Sequence, residues 1–232
     1  PNMAQVPAVR APYGLECREL FIVPVGYSLV GVDASGLELR MLAHYMNDTT
    51  YTQEVINGDI HETNRVAAGL QSRDTAKTFC YAFLYGAGDA KIGSIVGGGA
   101  KQGRKLKEQF LRNTPSLKDL RERVIKAAGR GYVRGLDGRR IKIRSEHAAL
   151  NSLLQGAGAV VMKQALIFMS ERIEEVGLDA HLIGSIHDEY QWEVKKGQEE
   201  QAGDIMVQAI RDTTEALNLR CPLDAEYSIG SN

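Results

Sequence analysis

Residues 27–40 read Tyr-Ser-Leu-Val-Gly-Val-Asp-Ala-Ser-Gly-Leu-Glu-Leu-Arg, and strand, turn and helix follow one another within them. Tyr27 to Asp33 is a short apolar run ending in an acid, the pattern of a buried strand that delivers Asp33 at its tip. Ala34-Ser35-Gly36 turns the chain. Leu37, Leu39, Met41, Leu42, Tyr45 and Met46 then recur at helical spacing and predict a helix over about 37–47. A second acid-tipped pattern lies far downstream. His181 to Val194 (HLIGSIHDEYQWEV) alternates and turns at His187-Asp188-Glu189, a hairpin with acids at its apex, and Asp188 follows Asp33 by 155 residues. The expected fold class is α+β, with a small antiparallel sheet carrying both acids.

Helical patterns fill the space between. Asp59-Ile60-His61 opens one that runs to about Gly69. The next, RDTAKTFCYAFLYG over Arg73–Gly86, carries Arg73, Lys77, Tyr81 and Tyr85 at intervals of four. Each such step turns a helix by about 40° and rises about 6 Å, so the four side chains form one slowly winding stripe about 18 Å long. Ser72 or Asp74 can cap its start and Gly86 can end it. Two cations followed by two hydroxylated rings suit a nucleoside triphosphate laid along the helix, and they equally suit an amphipathic helix with a basic end. Gly86 to Gly99 reads as loop-rich and lacks the GxxxxGK[ST] spacing of a P-loop. Lys101–Arg112 and Pro115–Ala128 read as basic helices, and Arg134–Arg144 as a hairpin around Asp137-Gly138. Leu150–Val176 is the longest helical pattern, Glu199–Leu217 another, and Leu223–Ser228 a final strand. Pro1–Arg10, with prolines at Pro1 and Pro7, is expected to be extended or turning.

The 232 residues are enough for one large domain or two small ones. No apolar run reads as long enough to span a bilayer and no signal peptide is visible, so no membrane association is expected. Cys17, Cys80 and Cys221 are odd in number and scattered, which fits reduced thiols in a cytoplasmic setting. Net charge is only −1, but its distribution is uneven. Residues 101–144 carry 15 basic and 4 acidic side chains, and residues 145–232 carry 6 and 15. A basic middle beside an acidic final third suits a phosphate-binding surface next to a carboxylate site that needs metal, and a solvated helical face would give the same count.

An acid at the tip of a buried strand starts a turn, or it is paired or binds a cation. Two such acids meeting in space can hold two Mg²⁺ ions for in-line phosphoryl transfer. Taken with the stripe, these patterns resemble family A (DNA polymerase I-like) DNA polymerases. DASGLELR at Asp33–Arg40 looks like motif A, Arg73–Gly86 like the R-x3-K-x7-YG of motif B, and His187-Asp188-Glu189 like motif C. Pro1–Arg10 is similar to the PNLxxIP-x-R stretch, so the resemblance covers essentially the whole chain. DASGLELR, in place of DYSQIELR, points to replicative polymerases of short-tailed phages.

The resemblance implies a right-hand architecture. Residues 1–46 and 148–232 would form a partial palm, and residues 47–147 helical fingers. It also implies a DNA-directed DNA polymerase that uses two Mg²⁺ ions, dNTP and primer-template DNA. Asp33, Asp188 and the Ala34 carbonyl would be metal ligands, with Glu189 close by in a lesser role. Arg73 would meet the γ-phosphate and Lys77 the α/β region, where it could protonate the leaving pyrophosphate. His61 would help hold the β-phosphate, Tyr81 would lie near the sugar and Tyr85 beside the templating base. Glu38 would exclude a 2′-hydroxyl. Arg10, Gln155 and His187 would read minor-groove acceptors at the primer terminus.

The resemblance leaves the family's thumb and exonuclease-type region unaccounted for. The expectation is a C-terminal part of a longer or split polymerase, its thumb in the same or a separate chain, with a processivity factor as a possible partner. In a phage setting the location would be the host cytoplasm. Two rivals stay open: a non-catalytic dNTP- and DNA-binding half that needs a thumb-bearing chain, and an RNase H-like two-metal nuclease.

Overall fold

The computed structural model describes residues 5–231; Pro1–Ala4, where the proline-bearing stretch begins, and Asn232 lie outside the described residues. In chain order the helices and strands are α1 (Gly14–Arg18), β1 (Tyr27–Ala34), α2 (Leu37–Met46), α3 (Thr49–Asn57), α4 (Ile60–Ala68) and α5 (Arg73–Leu84). There follow α6 (Asp89–Ile95), α7 (Ala100–Asn113), α8 (Pro115–Ala128), β2 (Tyr132–Arg134) and β3 (Arg140–Lys142). The chain ends through α9 (Ala149–Val176), β4 (Ala180–Ile186), β5 (Glu189–Lys195), α10 (Glu199–Ala216) and β6 (Ala225–Gly230). It divides into two compact units, one made of the residues up to Leu37 together with those from Ala159 onward, the other of Glu38–Gly158.

The first unit is built on a four-stranded antiparallel sheet in the order β4-β5-β1-β6. Alternation along the strands separates two faces. Val30 and Val32 of β1 and Tyr190, Trp192 and Val194 of β5 are buried on one face, with Met206 and Ile210 of α10 in the same core. α10 packs across β1 and β6. At Gly203 of that helix the Tyr227 ring of β6 occupies the space a Cβ would need, so the approach depends on a residue without one. The opposite face carries Asp33 and Glu189, which are directly opposite each other in the β1–β5 register.

The second unit is helical apart from the hairpin β2–β3. Its centre is a cluster of three rings: Phe79 and Phe83 of α5 each meet Phe110 of α7 edge-on, with centroids 5.2 and 5.4 Å apart. Local capping sets the helix starts. Asp48 accepts the Tyr51 N–H of α3 and also the Ser116 hydroxyl at 2.6 Å, Asp59 accepts two N–H groups of α4, and the Ser72 hydroxyl accepts the Thr75 N–H of α5. At the other end of α5, the Ala87 N–H reaches the Ala82 carbonyl and Gly86 takes a left-handed φ of 76°, a glycine-terminated helix end.

Three sequence expectations change. The stretch from Gly86 to Gly99 contains α6 as well as loop. Gly93 of that stretch and Gly103 of α7 serve packing: a Cβ on Gly103 would run into the Asp89 carbonyl and one on Gly93 into the Gly99 carbonyl, so α6 and α7 meet backbone to backbone. Asp89 then pairs with Lys107 at 3.0 Å and Arg104 at 3.3 Å. The helix α3 has no counterpart among the expected elements; a polar TTYTQEVIN gives a weak periodic signal. Finally, one helical segment among the described residues, Glu146–Val176, is long and apolar enough by length and composition to cross a membrane, where no such run was expected. Leu150, Leu153, Leu154, Ala157, Val161, Met162, Ala165, Met169 and Ile173 are buried in the protein, and the demands of a core account for that composition.

Gly86→Ala is expected to lower stability by at least about 1–2 kcal/mol, the cost of a left-handed Cβ. The cost should be larger because the new methyl would meet the His147 carbonyl, a backbone atom. Urea unfolding checks this; an unchanged midpoint would refute the reading of Gly86 as an obligate helix end.

Candidate active site

In the first unit, strand pairing gathers the acids. Asp33 is directly opposite Glu189 on one side and Glu226 on the other. Directly opposed residues of antiparallel strands point to the same face about 5 Å apart, so the three carboxylates form a row. Asp188 joins them from the β4–β5 turn, where its carbonyl accepts the Ala34 N–H at 3.0 Å. His187, the other residue of that two-residue turn, takes a left-handed φ of 60°. The Gln191 amide donates to the Glu189 carboxylate, and Gly31 leaves both side chains the room that a Cβ would fill.

This crowding has an electrostatic cost. Burial, then the negative charges of Asp188, Glu189 and Glu226, push the Asp33 carboxyl up to about 6. Among the described residues no lysine or arginine forms an ion pair with any of the four. The donor set suits a hard divalent cation, which such a row would attract. Among the described residues no three His, Cys, Asp or Glu side chains converge into a closed metal cage. Mg²⁺ is ordinarily held by one or two carboxylates, with waters and substrate phosphates completing its shell. Asp33, Asp188 and the Ala34 carbonyl would supply the protein's share.

In the second unit the stripe is present on α5. At its basic end Arg73 Nε donates to Asp59 at 2.6 Å, so the carboxylate that caps α4 also holds the first cation. His61 stands at the same end, its ring centroid 6.2 Å from that of Tyr81. Burial, then the charges of Arg73 and Lys77, lower its pKa, and its Nδ1 is buried without a hydrogen-bond partner. Arg73, Lys77 and a neutral His61 thus form one anion-seeking corner. The Tyr81 and Tyr85 rings follow, 6.2 Å apart. The Tyr85 hydroxyl lies 2.8 and 2.9 Å from the two oxygens of Glu38, and Gln155 Nε2 donates to Glu38 Oε1 at 2.9 Å.

Of the residues singled out from the sequence, Asp33, Ala34, His187, Asp188 and Glu189 meet at one end of the sheet. His61, Arg73, Lys77, Tyr81, Tyr85, Glu38 and Gln155 are linked along α5. Arg10 is exposed in a turn of the first unit. Two participants were missed. Glu226 was invisible because the final strand could be read without its neighbour, and Asp59 because it read only as a helix start. The basic block lies on α7, α8 and the hairpin, where Arg140 sits over the Tyr132 ring at 4.8 Å and Lys105, Lys126, Arg134 and Arg144 are exposed.

The profile of DNA polymerase family A matches residues 1–232, and the chain belongs to that family. It is 44% identical to the DNA-directed DNA polymerase of Enterobacteria phage T3 and 42% identical to that of Escherichia phage T7, in each case over all of this chain. It spans 38% of the length of each of these relatives. The POL domain of Pol1 from M. smegmatis, solved with DNA primer-template and dNTP, shares the fold with a TM-score of 0.89 at 24% identity, over 100% of this chain and 44% of that one.

The raised Asp33 carboxyl sets a pH dependence. The folded protein keeps the proton up to about 6 and the unfolded chain releases it near 3.8. The contribution of this group to stability is therefore fully present below about 3.8 and is lost as pH rises through about 6. In metal-free buffer, Asp33→Asn is expected to raise Tm at pH 7.5 and to leave it nearly unchanged at pH 4, with Mg²⁺ stabilising only the parent protein. A variant less stable than the parent at pH 7.5 would sink this account.

Proposed function

We propose that the chain is the catalytic part of a template-directed DNA polymerase that transfers a deoxynucleotide to a primer 3′-hydroxyl. The observation that carries this reading is the pairing of two strands remote in sequence, which brings Asp33 beside Asp188 and crowds their carboxylates. The names of the T3 and T7 phage relatives support the same activity. Residues 1–46 and 148–232 serve as palm and residues 47–147 as fingers. The remaining parts of the working enzyme, a thumb above all, belong to the same or a separate chain, and a processivity factor acts with them in the bacterial host cytoplasm.

Two Mg²⁺ ions, when bound, make the primer hydroxyl more acidic and offset the charge that develops on the pyrophosphate. The carboxylates of Asp33 and Asp188, with the Ala34 carbonyl, would hold those ions, and Glu189 would stand beside them in a lesser role. Arg73 exchanges Asp59 for the γ-phosphate. Lys77 meets the α/β region and donates a proton to the departing pyrophosphate, while neutral His61 donates to the β-phosphate. Tyr81 supports the sugar and Tyr85 borders the templating base. Glu38 fills the space of a 2′-hydroxyl. Arg10, Gln155 and His187 contact the minor groove at the primer terminus. The basic block tracks the template backbone, so DNA affinity falls steeply with salt. As α5 closes on a correct nucleotide it expels water from around the phosphates.

A nuclease of the two-metal type has no use for the corner formed by Arg73, Lys77 and His61, since hydrolysis needs no triphosphate cradle. A non-catalytic half would bind dNTP and primer-template without turnover. Primer extension with Mg²⁺ tests all three, with the chain alone and with the part of the T3 phage polymerase that it does not span. Extension is expected once the thumb-bearing part is present. Asp188→Ala should reduce it by at least 10²-fold, roughly the loss when a key electrostatic group is removed. Lys77→Ala should mostly lower kcat, and Arg73→Ala mostly raise KM for dNTP. Folded protein that extends nothing in either format, or an Asp188→Ala variant of near-parental rate, would overturn the assignment.

A further inference from the structure

Glu38 is held from two sides by elements distant in sequence. The Tyr85 hydroxyl carries one proton and lies within reach of both carboxylate oxygens, so it satisfies one of them at a time. The second fixed donor is Gln155 Nε2, at 2.9 Å from Glu38 Oε1. Gln155 is half-buried on α9 and well anchored. The neighbouring Gly156 allows Ile141 of β3 to lie directly on the helix backbone, where a Cβ would collide with it. Leu153, Leu154 and Ala157 on the same turns are buried. The amide is therefore delivered by a rigid element, while Tyr85 sits at the end of α5, just before the Gly86 terminus, and its side chain is exposed.

We propose that Gln155 is a positioning residue for sugar selection, acting through Glu38; this rests on the polymerase reading given above. A glutamate side chain on a helix has several rotamers of similar energy, and filling the space of a 2′-hydroxyl requires that it stay in one of them. Gln155 supplies that restraint whether or not Tyr85 moves with α5. It also removes a competing interaction. A carboxylate is an acceptor only, and a ribose 2′-hydroxyl is a donor. With the Gln155 amide and the Tyr85 hydroxyl already bonded to it, Glu38 offers the incoming sugar bulk in a fixed place and fewer free acceptor sites. Without the amide, the same carboxylate can swing aside and accept a bond from the 2′-hydroxyl, so a group that excludes ribose becomes one that welcomes it. The other N–H and the Oε1 of Gln155 remain available to DNA, so this role is compatible with a contact at the primer terminus.

The test is single-nucleotide insertion of dATP and of ATP opposite template thymine, in the protein format that extends primers. Gln155→Met keeps the length of the side chain and removes the donor. Gln155→Glu sets a second carboxylate against Glu38 and guards against a methionine variant that fails to fold. A hydrogen bond to a charged group is worth enough to change a ratio about tenfold. Both variants are therefore expected to raise the ATP-to-dATP ratio of kcat/KM by about tenfold or more, mainly by lowering KM for ATP. Tyr85→Phe should raise it too, and the double variant should gain less than the sum of the single effects. Parallel loss of dATP and ATP insertion at an unchanged ratio would overturn the proposal, since a purely structural or primer-gripping role predicts that pattern. If the unaltered protein inserts neither nucleotide, the polymerase reading itself falls, and this proposal with it.

Discussion

Asp33 sits between two acids. Its neighbours across the sheet are Glu189 and Glu226, with Asp188 at the adjoining turn, and the cost of that arrangement appears as a carboxyl pushed up to about 6. A fold that merely needed a stable sheet would separate these charges or pair them with lysine or arginine. Instead the opposite face of the same strands contributes stability: Val30, Val32, Tyr190, Trp192 and Val194 are fully or almost fully buried with α10 beneath them. The hydrophobic side of the sheet thus offsets the repulsion on its open side. A divalent cation placed at such a row would relieve that repulsion by offsetting the crowded negative charge.

The second unit solves a different problem. It must present cations and rings along one exposed face of a single helix while holding the helix by its other face. The ring cluster of Phe79, Phe83 and Phe110 does the holding, and the Ser72 cap and Gly86 terminus define the ends. Polar residues outside the helix then tune what it presents. Asp59 restrains Arg73, burial and then the two cations lower the His61 pKa, and Glu38 ties Tyr85 to Gln155. Asp59 already occupies Arg73, and Tyr85 and Gln155 already occupy Glu38, so a ligand at either place would compete with a partner in position.

Family membership and the site chemistry rest on different supports. The family follows from the match of residues 1–232 and from relatives at 44% and 42% identity that extend well beyond the region this chain spans. The chemistry follows from individual contacts, and these refine the resemblance. Gln155 resembles a residue that reads the primer terminus, and its amide is bonded to Glu38. The stretch from Gly86 to Gly99 read as loop-rich, and Gly93 within it, with Gly103 of α7, lets α6 and α7 pack with their backbones in contact. In both cases the local pattern was silent about the neighbour.

Sequence alone determined the elements with strong periodicity or a clear stop. The strand ending at Asp33, the helix from Leu37, the stripe from Arg73 to Tyr85 and the hairpin turning at His187-Asp188 are all legible because hydrophobic period, capping residue and turn residue are local properties. The tips of those strands marked Asp33 and Asp188, and spacing by four marked the stripe. Tertiary structure decided which strands became neighbours, and so which acids share a field. Nothing near Glu226 in the chain indicates that β6 lies beside β1, yet that pairing sets part of the Asp33 environment. It likewise decided that Glu38, Tyr85 and Gln155 share one carboxylate, although Gln155 lies 117 residues from Glu38. Period and capping are short-range consequences of backbone geometry. Charge crowding and shared hydrogen bonds depend on distances across space, and a linear pattern does not encode them until the chain has packed.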